Sequence, residues 1–246
     1  MRFIRNILVA TSVLFLALPA ASYATDFKVE ITNLTNANYF TPILVSAHKR
    51  DLDMFEVGEP ASEALQAIAE GGDVSAMQTA LDAAGAATAV AETPSGAPVL
   101  APGETALALL DIRGRNRWIS LAAMILPTND AFIGLDAVRL HQRVQTFNLY
   151  AYDAGTEVND ELMNPGAGGA PGVAGIPGDP SGLAGTGGSG QTSVETNTTV
   201  HIHRGILGDD DPLGGLSDLD RSAHRWGTPV ARVTITRVPR HYGHDD

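Results

Sequence analysis

The stretch Trp118-Ile-Ser-Leu-Ala-Ala-Met-Ile-Leu-Pro-Thr-Asn-Asp-Ala-Phe-Ile-Gly-Leu-Asp-Ala-Val-Arg-Leu140 decides the class of fold. Two apolar runs of strand length, Trp118 to Leu126 and Phe132 to Leu140, stand either side of Pro-Thr-Asn-Asp, a cluster of turn residues. A connection this short joins antiparallel neighbours, because a parallel pair needs a crossover helix. Outward from this pair, Glu104 to Ile112 and Val144 to Tyr152 read as further strands. Phe27-Lys-Val-Glu-Ile-Thr32 alternates apolar and polar with the period of a half-buried strand. Phe40 to Ser46 follows, with Pro42 suited to a strand start or an edge. Thr198 to His203 and Val230 to Val238 complete eight candidate strands, which predict an all-β, eight-stranded antiparallel β-sandwich.

Two inserts interrupt the strands. Residues 61–86 are rich in helix formers, with Ser62 and Asp73 placed as N-caps and Gly71-Gly72 as the break between two short helices. Residues 164–192 form a long Gly/Pro-rich loop, in which Gly166, Gly169, Gly172, Gly175 and Gly178 recur at every third position. The run is too short for collagen and loses register at Asp179-Pro180-Ser181, so a mobile or polyproline-like loop is expected.

Of 246 residues, 28 are acidic and 16 basic, for a net charge of -12; 44% are apolar, 18% are charged and none is cysteine. The composition is that of a folded chain rather than a disordered one. The acidic balance argues against nucleic acid and against direct attraction to anionic membranes. Absence of cysteine removes disulfides and thiol chemistry, so the fold is expected to hold by packing and hydrogen bonds, with or without a metal, and not by covalent staples. Met1 to Ala24 reads as a secretory signal: Arg2 and Arg5, then an apolar run from Ile7 to Leu18, then Ser22-Tyr23-Ala24 before the cleavage point. The apolar run is short for a span, which takes about 20 residues. The expected product is a secreted or periplasmic domain over residues 25–240 with a polar tail at 241–246, and no transmembrane segment once the signal is cleaved.

Three constellations carry candidate chemistry. Asp130, in the turn between two strands, and Asp153, in Tyr152-Asp-Ala-Gly-Thr-Glu157 at the end of another, fall at loop positions on one end of a sandwich. Spacing leaves two readings: both cap turns, or the two carboxylates share a hard cation that relieves their repulsion. His201-Ile202-His203 sets two imidazoles on one side of a strand. With His224 and a carboxylate they would make a zinc or copper site and a metal-dependent hydrolase; otherwise they line a half-exposed face beside an isoleucine pointing into the core. Asp209-Asp210-Asp211, with Asp218 and Asp220, lacks the spacing of a calcium loop and reads as a solvated acidic loop. No serine elbow, phosphate loop or His-Glu-x-x-His motif is present.

Met124 to Asp136 and Tyr152 to Glu157, with Thr234-Ile-Thr236 near the end, resemble the spondin N-terminal domain family, the domain type of F-spondin and mindin and of secreted bacterial proteins. The resemblance covers about Asp26 to Arg240. It implies a C2-like sandwich with one bound calcium ion, held by Asp130, Asp153 and the backbone carbonyl of Leu126. Ala131 stands where animal members carry an aromatic residue, Glu157 where they carry aspartate, and their disulfides are missing here. The integrin-linked acidic role near Asp111 is not carried over. The function this reading implies is a noncatalytic, calcium-binding adhesion or ligand-binding module whose partner is a protein, a glycan or another cell-surface ligand. The alternative is the exported hydrolase built on His201 and His203.

Overall fold

The computed structural model describes residues 25–191 and 195–238. The expected signal at 1–24 and the polar tail with His241 and His244 lie outside the described residues. Two sheets form the frame. The first contains β5 (Thr105–Ile112), β1 (Thr25–Asn33), β11 (Ala231–Val238) and β8 (Gln145–Leu149), in that order. The second runs β10 (His201–Ile202), β9 (Ala151–Asp153), β7 (Ala131–Arg139), β6 (Trp118–Leu126), β3 (Leu44–His48) and β4 (Ala87–Val90), with β2 (Tyr39–Phe40) also pairing β6. Every strand pairing is antiparallel. The fold is thus β-rich and sandwich-like. Each of the eight expected strands falls on observed strand, but the described residues contain eleven. The second candidate divides into β2 and β3, the Val144–Tyr152 candidate divides at Tyr150 into β8 and β9, and β4 was not foreseen.

The division of faces explains the sequence pattern of the central strand. Ile119, Leu121, Ala123 and Ile125 of β6 enter the core between the sheets, where they meet Val29 and Ile31 of β1 and Val233 and Ile235 of β11. The opposite face of β6 offers Ala122, which packs with Phe132, Leu65 and Ile68 under the helices. A strand covered on both sides loses its alternation, which is why Trp118 to Leu126 reads as a nearly continuous apolar run. The helices covering that face are α1 (Glu63–Gly71) and α2 (Ser75–Ala83). Ser62 caps α1 as expected, accepting from the Leu65 N–H at 3.2 Å. Asp73 sits one residue ahead of the α2 N-cap, Val74, and accepts from the Ser75 N–H at 2.9 Å.

The Gly/Pro-rich segment departs from expectation. Gly166, Gly169, Gly172 and Gly175 all have positive φ, from 79° to 109°, so the three-residue period marks repeated left-handed turns and not polyproline helix. The chain folds back on itself and delivers Ile176 to a small cluster with Ile206 and Leu219. Carboxylates hold this loop layer together. Glu161, itself at φ 59°, accepts from the Leu207 and Gly208 N–H groups and the Ser217 hydroxyl. Asp218 accepts from Met163 and Gly188, and Asp209 from Asp211, Leu216 and Ser217. The acidic run expected to be simply solvated therefore partners its own backbone.

Candidate functional site

The β6–β7 turn begins at the cis Leu126–Pro127 bond and ends at Asp130. Thr128 tightens it, donating to the Ile125 carbonyl at 2.5 Å and accepting from the Ala131 N–H at 3.2 Å. Ala131 is registered against Asp153, and Asp153 in turn against His201, so β7, β9 and β10 bring Asp130 beside Asp153. Asp130 is fully buried and Asp153 is 2% exposed. Leu126, whose carbonyl is the third expected ligand, closes β6 at the mouth of the same turn.

One oxygen of Asp130 is satisfied and the other is not. Oδ2 accepts from the Thr156 N–H at 2.8 Å, the Thr156 hydroxyl at 3.2 Å and the Glu157 N–H at 3.1 Å. Oδ1 is buried with no hydrogen-bond partner. Burial, and then the charge of Asp153, push the Asp130 carboxyl up to about 7 despite those donors. Asp153 accepts from the Gly155 N–H at 2.8 Å and the Asn159 amide at 2.7 Å. Its carboxyl is raised by burial, which outweighs Asn159, Gly155 and the nearby His201. Gly155 makes the return of the loop possible, since its φ is 71° and a Cβ there would stand 2.7 Å from the Thr198 backbone.

Glu157, whose N–H donates to Asp130, carries another perturbed carboxyl. Both of its carboxylate oxygens are buried without hydrogen-bond geometry. Burial and then Glu70 push it up to about 8, Asp130 adding to the rise; the Asn129 side chain and the Gly175 N–H offset part of it. Behind Asp153 stands a polar relay that the sequence reading missed. Asn159 donates to Asp153 and to Glu195 at 2.8 Å and accepts at its Oδ1 from His203 Nε2 at 3.0 Å. The only sequence signal for it was the polar run Asn159-Asp160-Glu161 that trails the second motif.

The histidine pair is arranged differently from its expected use. Ile202 is 51% exposed, so the inward side of β10 belongs to the histidines and not to the isoleucine. His201 lies 3.8 Å from Asp153 Oδ2. His203 is buried against Trp226, and its Nδ1 accepts from the Gly205 N–H at 2.9 Å, so both ring nitrogens are engaged. Burial, aided by Arg204 and His201, lowers its ring to about 3 and keeps it neutral. His224 is elsewhere, with its Nε2 3.1 Å from the Ser181 hydroxyl and 3.5 Å from Asp179. Among the described residues no three histidine, aspartate or glutamate side chains gather as a metal-binding group.

The family model Spondin_N matches residues 20–172. That span includes both helices, β1 to β9, Asp130 and Asp153, and stops short of β11, where the resemblance was expected to continue. Spondin-2 of Homo sapiens is 29% identical over 133 residues, and Spondin-2 of Rattus norvegicus 28% over the same length. The aligned part is 51% of this chain and 40% of each relative, so the chain spans less than half the length of these curated proteins.

Proposed function

The chain belongs to the spondin N-terminal domain family, and from that premise we propose that it is an exported, noncatalytic binding module whose β6–β7 turn and β9 loop are rigidified by one calcium ion. The observation that carries this reading is the buried, unpartnered Asp130 Oδ1 beside a second buried carboxylate. Two such groups repel, and a hard cation satisfies both. Asp130 and Asp153 would hold the ion, with the Leu126 carbonyl as a third oxygen. When bound, calcium supplies positive charge that fixes two loops, leaving a rigid rim on which a protein or glycan ligand docks. The His203–Asn159 relay orients Asp153 for that task. We take residues 25–240 as one domain on the C2-like eight-strand plan, with β2, β4 and the β8–β9 break as local elaborations.

Thermal melting in chelator and in calcium tests the reading. At a calcium concentration of about 100 times Kd the ion adds about 2.7 kcal/mol, which corresponds to a rise of roughly 5–10 °C in Tm for a domain of this size. Asp130→Asn and Asp153→Asn should each abolish the rise. Identical melting curves with and without calcium would defeat the proposal. Mass analysis of the exported protein tests the leader: a chain starting at Thr25 is expected.

A further inference from the structure

The net charge conceals an uneven distribution. At one end of the sandwich the connection from β5 to β6, which crosses from one sheet to the other, carries Arg113, Arg115 and Arg117, all exposed. Register places other cations at the same end. Trp118 at the start of β6 pairs with His48 on one side and with Arg139 on the other, so Lys49 and Arg50, just past the end of β3, and Arg139, the last residue of β7, flank this connection. The β7–β8 connection adds Arg143, and Gln145 pairs with Ile235, which brings Arg237 of β11 to the same pole. Eight of the thirteen Lys and Arg residues within the described chain thus converge there and are exposed. Acids accompany them: Asp51, Asp26 of β1, whose register partner is Asp111, and Asp111 itself, which lies 2.9 Å from Arg113. Asp130 lies beyond the other end of β6, about 25–30 Å away at the usual rise per residue.

We propose that this arginine-rich pole is a docking surface for an anionic phospholipid membrane. Seven of the eight cations are arginine, whose planar fork suits phosphodiester oxygens. Val144, between Arg143 and β8, is 62% exposed, and Trp118 lies half-buried with the Arg50 guanidinium 5.5 Å from its ring. An exposed aliphatic and an indole among cations suit the interface of a bilayer, where apolar groups reach past the headgroups; a sulfated glycan or a nucleic-acid backbone gives Val144 no partner. The overall charge of -12 does not oppose binding, because at physiological salt charges interact over only about 8 Å.

The test is vesicle sedimentation with the exported form of the protein, comparing phosphatidylglycerol-containing with pure phosphatidylcholine vesicles. We expect at least tenfold tighter binding to the former, lost in 0.5 M NaCl (about a 4 Å screening length). The variant Arg115→Gln/Arg117→Gln/Arg139→Gln/Arg143→Gln should bind at least tenfold more weakly with an unchanged Tm. Arg232→Gln, roughly 17 Å along β11 from Arg237, should bind as the parent does. Equal binding to both lipids, or a quadruple variant that binds as the parent does, overturns the proposal. So does tighter binding to heparin or to a DNA oligonucleotide than to the vesicles.

Discussion

Asp130 shows what a single carboxyl contributes when one oxygen is satisfied and the other is orphaned. Its folded-state affinity for a proton is raised to about 7, and that of Glu157 to about 8, in each case chiefly by burial. A carboxyl raised above its unfolded value binds more protons in the native than in the unfolded state between about pH 4 and pH 8, so stability falls as pH rises through that window. In chelator, Tm should therefore drop between pH 5 and pH 8. Calcium should flatten the slope, because the ion replaces the proton as the neutralising charge. Asp130→Asn should reduce it without calcium, leaving the part that Glu157 contributes, and a Tm that rises with pH in chelator would contradict this account. Asn159→Leu tests the relay behind Asp153. It removes the donor to Asp153 and the acceptor of His203, and should cost roughly 2–4 kcal/mol in chemical denaturation.

At the scale of elements, the loop layer depends on carboxylates in place of a large apolar core. Its own cluster centres on Ile176, Ile206 and Leu219, while Glu161 accepts three hydrogen bonds from two separate loops. Glu161→Ala should lower stability by roughly 2–4 kcal/mol and open residues 164–220 to limited proteolysis before the sheets unfold. Burial works to raise Asp179, but the His224 ring, the Ser181 hydroxyl and the Ala184 N–H together hold it well below the usual carboxylate range. The stability it contributes is lost as pH falls below about 4, on the opposite side of the pH scale from Asp130. By contrast, α1 needs only local chemistry. Ser62→Ala should cost about 1 kcal/mol and leave calcium binding unchanged.

For the whole molecule, the two ends of β6 carry two kinds of charge. Beyond Leu126 lie the buried carboxylates of Asp130 and Asp153, and around Trp118 lie the exposed arginines. β6 spans the distance between them, from Trp118 to Leu126. Among the described residues no helix is long and apolar enough to cross a membrane. The two ends should respond independently. Added calcium should raise Tm equally in the parent and in the quadruple arginine variant, and Asp130→Asn should bind vesicles like the parent.

Periodicity and turn chemistry were enough to locate the eight strand candidates, the Ser62 cap and both acidic motifs, because those signals depend on residues within one or two turns of each other. Asp130 and Asp153 were legible because each sits in a turn whose neighbours are distinctive. The Asn159–His203 relay, the pairing of Glu161 with residues 207–217 and the arginine pole were not, since each joins segments separated by tens of residues and no local pattern records which strand lies beside which. Composition reported a single acidic balance; strand register alone decided that the cations would gather at one end of it.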